Sequence, residues 1–234
     1  MAMASPRSMR EILARARVVP ILSIHDVDLA APLARALVAG GVMVIEVVLR
    51  TPCAAAAVAA MRDAVPDADV GMGTILSAAD VETAVASGAT FGVSPGLTPE
   101  IAAAVRAHGL PFLPGVATPS EVLAARARGF HEQKFFPANG LAGSALLQAL
   151  APVFPDVVFC PTGGIRRDDV GAYLKLSNCP VVGGSWVVPP EALRDRDWAA
   201  ITALARAASE RGRGAERDGS AGHAGTAAWP PIVR

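Results

Sequence analysis

The 234 residues are 52% hydrophobic and 18% charged, enough apolar material for a sizeable core, and Lys+Arg balance Asp+Glu at 21 each, so no net charge draws the chain to nucleic acid or an anionic membrane. No apolar run reaches the ~18 residues of a spanning helix, and Arg7 and Arg10 are not followed by the apolar core of an export signal. Three cysteines (Cys53, Cys160, Cys179) without CxxC spacing suit a reducing, cytoplasmic setting, and four scattered histidines offer no metal-ligand spacing, so no metal or other cofactor is expected.

In chain order, Ser5-Pro6 reads as a helix start, followed by an amphipathic stripe of Met9, Ile12 and Leu13. Residues 18–22 read as the first strand. Asp26 or Asp28 caps a helix carrying Leu29, Leu33, Ala36 and Leu37, which ends at Gly40-Gly41. Strands follow at 42–49, 70–74, 89–93 and 111–115. The helices between them are an alanine-rich one from Pro52, one capped by Ser77 and one from Pro99. Thr118-Pro119-Ser120-Glu121 opens a fifth helix. The sixth strand holds His131, Lys134, Phe135 and Phe136 and stops at Pro137, which has no N–H to give a ladder. A helix at 143–150, a strand at 157–161, a helix at 168–176, a strand at 181–185 and a final helix from Pro190 to Ser209 complete the pattern.

Eight strand–helix repeats with near-continuous apolar strands imply a parallel sheet covered on both faces. The expected fold is an α/β (β/α)8 TIM barrel in a single domain, residues 1–211, with a disordered tail at 212–234. A doubly wound open sheet is the alternative, but no GxGxxG follows the first strand.

Barrel sites lie at the C-terminal ends of the strands. Those ends carry Glu46 and Arg50, then Thr74, then Ser94-Pro95-Gly96, then Gly115 and Thr118, then Lys134 and Phe136, then Thr162-Gly163-Gly164, and last Gly183-Gly184-Ser185. Each has a plain reading. Glu46 could be the buried partner of a cation, Arg50 a surface loop residue, Thr74 and Thr118 strand-end hydroxyls or caps, Cys160 a small buried hydrophobe, and the glycine pairs simple turns. A lysine inside a buried strand, however, must lose its charge, pair with an anion, or do chemistry. Glycine pairs after the last two strands match the position where many barrels hold phosphate, because small residues let N–H groups approach an anion. A buried amine, a carboxylate, an arginine and an anion cradle together suit Schiff-base chemistry on a phosphorylated keto acid.

The segments 40–51 (GGVMVIEVVLRT), 71–74 (GMGT), 94–96 (SPG), 134–138 (KFFPA), 160–165 (CPTGGI) and 183–186 (GGSW) resemble the 2-dehydro-3-deoxy-6-phosphogluconate (KDPG) aldolases, whose bacterial members also act on 4-hydroxy-2-oxoglutarate (KHG). The resemblance runs from about Arg17 to Ser209, all six segments in order. It implies a metal-free class I aldolase with a (β/α)8 barrel, assembled as a homotrimer, acting on a phosphorylated 2-keto-3-deoxy acid and releasing pyruvate. By motif it implies Lys134 as the Schiff-base lysine, Glu46 as the proton shuttle and Arg50 as the holder of the pyruvate carboxylate. Thr74, Pro95 and Phe136 would line the pocket, Thr162 would lie by the reacting hydroxyl, and Gly163, Gly164, Gly184 and Ser185 would bind phosphate. Two departures stand out: Asn139 where the family often has glutamate, and Arg166-Arg167 at the start of the seventh helix. A galactonate-type aldolase, a phosphate-binding barrel enzyme with Lys134 merely ion-paired, and a non-catalytic sensor are the other readings.

Overall fold

Short apolar runs alternate with alanine-rich, capped segments, and they become parallel strands and helices in the expected order. The computed structural model describes residues 7–214. In chain order the elements are α1 (Met9–Leu13), β1 (Val18–Leu22), α2 (Ala30–Ala39), β2 (Val44–Val48), α3 (Ala54–Ala64), β3 (Asp69–Gly73), α4 (Ala78–Ala86), β4 (Gly92–Val93), α5 (Pro99–His108), β5 (Phe112–Leu113), β6 (Gly115–Val116), α6 (Pro119–Arg126), β7 (Glu132–Phe135), α7 (Gly143–Leu150), β8 (Val158–Pro161), α8 (Val170–Leu174), β9 (Val182–Gly184), α9 (Pro190–Arg194) and α10 (Trp198–Gly214). No helix among the described residues is long and apolar enough to cross a membrane.

The strands form two parallel sheets, one in the order β5-β4-β3-β2-β1-β9 and one in the order β6-β7-β8. The expected single fifth strand at 111–115 is thus two, interrupted by Pro114. Proline has no N–H for the ladder. The two pieces serve different neighbours: Ser94 N donates to Leu113 O at 3.3 Å on one side, and Lys134 N donates to Pro114 O at 2.8 Å on the other. Gly115 has no room for a side chain, since a Cβ there would overlap the Pro95 carbonyl. At the far edges, β8 and β9 belong to different sheets.

Several helix starts follow their capping residues. Thr118 and Glu121 form a capping box, with Glu121 N donating to Thr118 Oγ1 at 3.3 Å and Thr118 N to Glu121 Oε2 at 2.8 Å. The Ser5-Pro6 start lies outside the described residues; Ser8 and Glu11 form the capping box of α1 instead. The expected single final helix is two, because Arg196 adopts φ 55 between α9 and α10, and Asp197 recaps the chain by accepting from Ala200 N at 2.9 Å. The expected tail at 212–234 begins inside α10, and residues 215–234 lie outside the described residues.

The strands separate two cores. Outward-facing side chains pack under the helices, with Leu33, Leu37, Ile45, Val47 and Met72 fully buried. A smaller inner cluster joins Met9, Ile12 and Leu13 of α1 to Val19, Val44, Val93, Leu113, Cys160 and Val181. Its members come from both sheets, so α1 plugs the N-terminal end of the strands. Arg7 pairs with the buried Asp69 at 3.2 Å, Arg15 pairs with the same carboxylate, and Arg10 pairs with Glu132 at 2.7 Å.

Candidate active site

Strand alternation puts Val44, Glu46 and Val48 on one face of β2. Val44 lies in the inner cluster, so Glu46 also points inward, and it is 3% exposed. Lys134 on β7 is 7% exposed. The two meet across the interior, with Lys134 Nζ 3.3 Å from Glu46 Oε1. Neither charge is left alone in a dry environment, which would be costly. The approach depends on β3: a Cβ on Gly73 would overlap the Glu46 carboxylate. Phe136 stands over the amine, 5.5 Å from Nζ to the ring centroid.

Arg50 follows β2 and Thr74 follows β3. Thr74 has φ 62, in the left-handed region that a β-branched residue rarely occupies. Its hydroxyl accepts from Arg50 Nε at 3.0 Å, which ties the guanidinium to the rim. Thr162 N donates to Phe135 O at 2.9 Å, and Thr162 Oγ1 donates to Cys160 O at 3.2 Å. Gly183 leaves room for that hydroxyl, which a Cβ would overlap. Burial pushes the Cys160 thiol up to about 12, so the sulfur beside the amine stays protonated and neutral.

A cavity of about 200 Å³ opens over this pair. Eight residues singled out from the sequence line it: Arg50, Lys134, Phe136, Thr162, Gly163, Gly164, Gly184 and Ser185. Glu46 sits behind Lys134, and Thr74 reaches the cavity through Arg50. Pro95 is exposed on the loop after β4 and is not among the lining residues. Gly183, the first of the second glycine pair, lines the cavity as well, as do Ile21, Val48 and Ile165, which the sequence does not single out. Ile21 and Val48 are strand-end apolar residues whose pattern matches any core position. A neighbouring cavity of about 350 Å³ shares Ile21, Val48, Arg50 and Ser185 and runs on to Trp186 and Leu193. Among the described residues no group of three or more His, Cys, Asp or Glu side chains could hold a metal ion.

Gly163 and Gly164 have φ 101 and φ 74, so their loop uses the left-handed conformations that glycine adopts freely. A Cβ on Gly163 would come 3.0 Å from the Phe136 ring. The arrangement offers an amine with a carboxylate beside it, a guanidinium at the rim, and small residues with N–H groups at the opposite wall. These are the parts for imine formation on a keto acid, proton transfer next to it, and anion binding at the distal end.

Residues 9–204 match the family model described as KDPG and KHG aldolase. The 2-dehydro-3-deoxy-phosphogluconate aldolase of Dickeya dadantii is 44% identical over 201 residues, spanning 86% of this chain and 94% of that protein. The structure of a KDPG aldolase from Legionella pneumophila, with pyruvate captured as a covalent carbinolamine intermediate, superposes with TM-score 0.84 at 41% identity, covering 87% of this chain and 98% of that one. The 2-keto-3-deoxy-6-phosphogluconate aldolase of Zymomonas mobilis with 3-phosphoglycerate superposes with TM-score 0.83 at 44% identity, over 88% and 96% of the two chains.

Proposed function

Because the chain belongs to the KDPG and KHG aldolase family, we propose that Lys134 and Glu46 perform its carbon–carbon bond cleavage and that the glycine loops after β8 and within β9 hold the substrate phosphate. The chain is a class I aldolase that cleaves 2-dehydro-3-deoxy-6-phosphogluconate into pyruvate and glyceraldehyde 3-phosphate. The observation that carries the assignment of roles is the 3.3 Å contact of a buried amine with a buried carboxylate at the floor of the cavity.

In this reading the Glu46 carboxylate takes a proton from the Lys134 ammonium, leaving a nucleophilic amine. Nζ adds to the C2 carbonyl to give a carbinolamine; Glu46 then returns its proton to the departing hydroxyl, so that water leaves, the protonated imine forms and Glu46 is a carboxylate again. Arg50, held by Thr74, pairs with the substrate carboxylate. Glu46 then accepts the C4 hydroxyl proton. The C3–C4 bonding electrons move into the iminium to form an enamine, and the aldehyde product leaves. A proton returned from Glu46 to C3 restores the imine, which water hydrolyses to pyruvate and the free amine. Phe136 excludes water above Nζ, and Thr162 lies beside the bond that breaks. Gly163, Gly164, Gly184 and Ser185 offer N–H and hydroxyl donors to the phosphate. Pro95 stands outside this cavity, with its carbonyl packed close against Gly115.

The same reading closes the two sheets into a (β/α)8 barrel. The inner cluster drawn from both sheets and the strand shared around Pro114 support it. The family resemblance supports a homotrimer working in the cytoplasm, a substrate of the gluconate configuration, turnover of 4-hydroxy-2-oxoglutarate, and a single domain over the matched residues 9–204; the first six residues of the expected 1–211 unit lie outside the described residues. Sedimentation velocity checks the trimer, and parallel kinetics on the two epimeric phosphorylated acids and on 4-hydroxy-2-oxoglutarate check the substrate. The central test is borohydride reduction in the presence of pyruvate. A reduced adduct on the peptide containing Lys134 is expected, with none in Lys134→Arg and cleavage lowered at least about 10³-fold. Labelling elsewhere, or a Lys134→Arg enzyme that still turns over, refutes the roles.

A further inference from the structure

Pairing with β8 continues past the end of β7. Ala138 N donates to Thr162 O at 2.8 Å, and Asn139 N donates to Gly163 O at 3.0 Å. The side chain then adds a bond of its own, with Asn139 Nδ2 donating to Gly164 O at 2.8 Å. Asn139 therefore holds two consecutive carbonyls, one with its backbone and one with its amide. A Cβ on Gly164 would come 2.9 Å from the Asn139 Cβ, so the close approach uses the missing side chain. In a trans peptide the C=O and N–H point in opposite directions. Fixing the Gly163 and Gly164 carbonyls toward Asn139 turns the N–H groups of Gly164 and Ile165 away from it. Both of those residues line the cavity that holds Lys134.

We propose that Asn139 is a positioning residue for phosphate recognition: it touches no reacting atom, and it aims the Gly164 and Ile165 N–H donors at the distal phosphate through their carbonyls. This rests on the reading of Gly163 and Gly164 as the phosphate cradle. In this chain the Gly164 carbonyl is held by a side-chain donor at residue 139. A carboxylate there has none when ionised, and it adds a negative charge against both the Gly164 carbonyl and the anion. Asn139 is exposed, so its replacement does not open the core.

The test compares kcat and KM of wild type, Asn139→Ala and Asn139→Asp on 2-dehydro-3-deoxy-6-phosphogluconate and on its unphosphorylated analogue at one ionic strength, with thermal melting alongside. Asn139→Ala is expected to lower kcat/KM for the phosphorylated substrate about five- to tenfold, mainly through KM, with the unphosphorylated substrate and the melting temperature unchanged. Asn139→Asp should lower it further, and inhibition by inorganic phosphate should weaken in the same order. An Asn139→Ala enzyme that keeps the wild-type ratio between the two substrates, or loses both equally, overturns the role of Asn139. A wild-type enzyme with no preference for the phosphorylated substrate overturns the cradle itself, so the two failures are distinct.

Discussion

Gly73→Ala adds one methyl group at the back of the active site and leaves every reacting group in the sequence. Built on the present backbone, that Cβ lies 2.7 Å from Glu46 Cδ and 2.8 Å from Glu46 Cγ. Ordinary contact begins at 3.4 Å, so the carboxylate carbon alone must retreat by about 0.7 Å, and Glu46 Oε1, which the Cβ overlaps outright, by more, or β3 must move back. Both strands here are fully buried, and their five paired positions leave little freedom for the second course. A misplacement near 1 Å costs about 10²-fold in rate, and overpacking a buried site costs about 1–3 kcal/mol of stability. The expected outcome is a kcat for cleavage reduced about 10²-fold, with a lowered melting temperature. Pyruvate release coupled to NADH oxidation measures the rate. Because Lys134 is untouched, borohydride should still trap pyruvate on it. A folded Gly73→Ala enzyme with the wild-type kcat would show that the Glu46 carboxylate need not occupy this spot, and the proton-shuttle reasoning would fall with it.

Glu46→Gln should slow exchange of the pyruvate C3 protons with solvent by about 10²–10⁴-fold, followed by NMR in D₂O; exchange at the wild-type rate excludes Glu46 as the base. Asp156 is buried, which pushes its carboxyl up, but hydrogen bonds from Arg126 Nε at 2.8 and 3.0 Å outweigh this and hold it below the ordinary 3.8. Its depressed value contributes stability that is present above the ordinary carboxylate range and is lost as pH falls below it. Asp156→Asn should therefore cost about 1–3 kcal/mol at pH 7, with the gap to wild type closing below pH 3.8; a gap independent of pH refutes the charge argument. Cys160, held at about 12, should resist iodoacetamide in the native enzyme at pH 8 and react only on unfolding; rapid native labelling would contradict its burial.

Much of the site is legible in the sequence because its parts are exceptions to their surroundings. Glu46 and Lys134 interrupt apolar strands, and Gly163-Gly164 and Gly183-Gly184 end two of them. Period-two alternation was enough to put Glu46 on the inner face of β2. What escapes linear reading is any requirement set by a neighbouring strand. Gly73 looks like an ordinary strand glycine until β2 is laid beside it. Pro114 reads as part of one strand until two sheets compete for its ends. Asn139 differs from the family pattern, but its consequence depends on Gly164, 25 residues away. The break at Arg196 has no glycine or proline to announce it, because a non-glycine residue takes the left-handed turn.

The edges of β8 and β9 carry a further consequence. They are the outer strands of different sheets, so no shared ladder joins them. Gly163 and Gly164 follow one, and Gly184 and Ser185 sit at the end of the other. If these residues hold the substrate phosphate as proposed, an anion gripped from both sides acts as a removable clasp between the two edges. Thermodynamic linkage then couples ligand occupancy to local breathing: at a hundred times its dissociation constant, a ligand bound only by the closed form adds about 2.7 kcal/mol against separation of the edges. Amide exchange at Val158 and Val182 should slow on binding phosphorylated ligand far more than at Val70, which lies in the continuous sheet between β2 and β4.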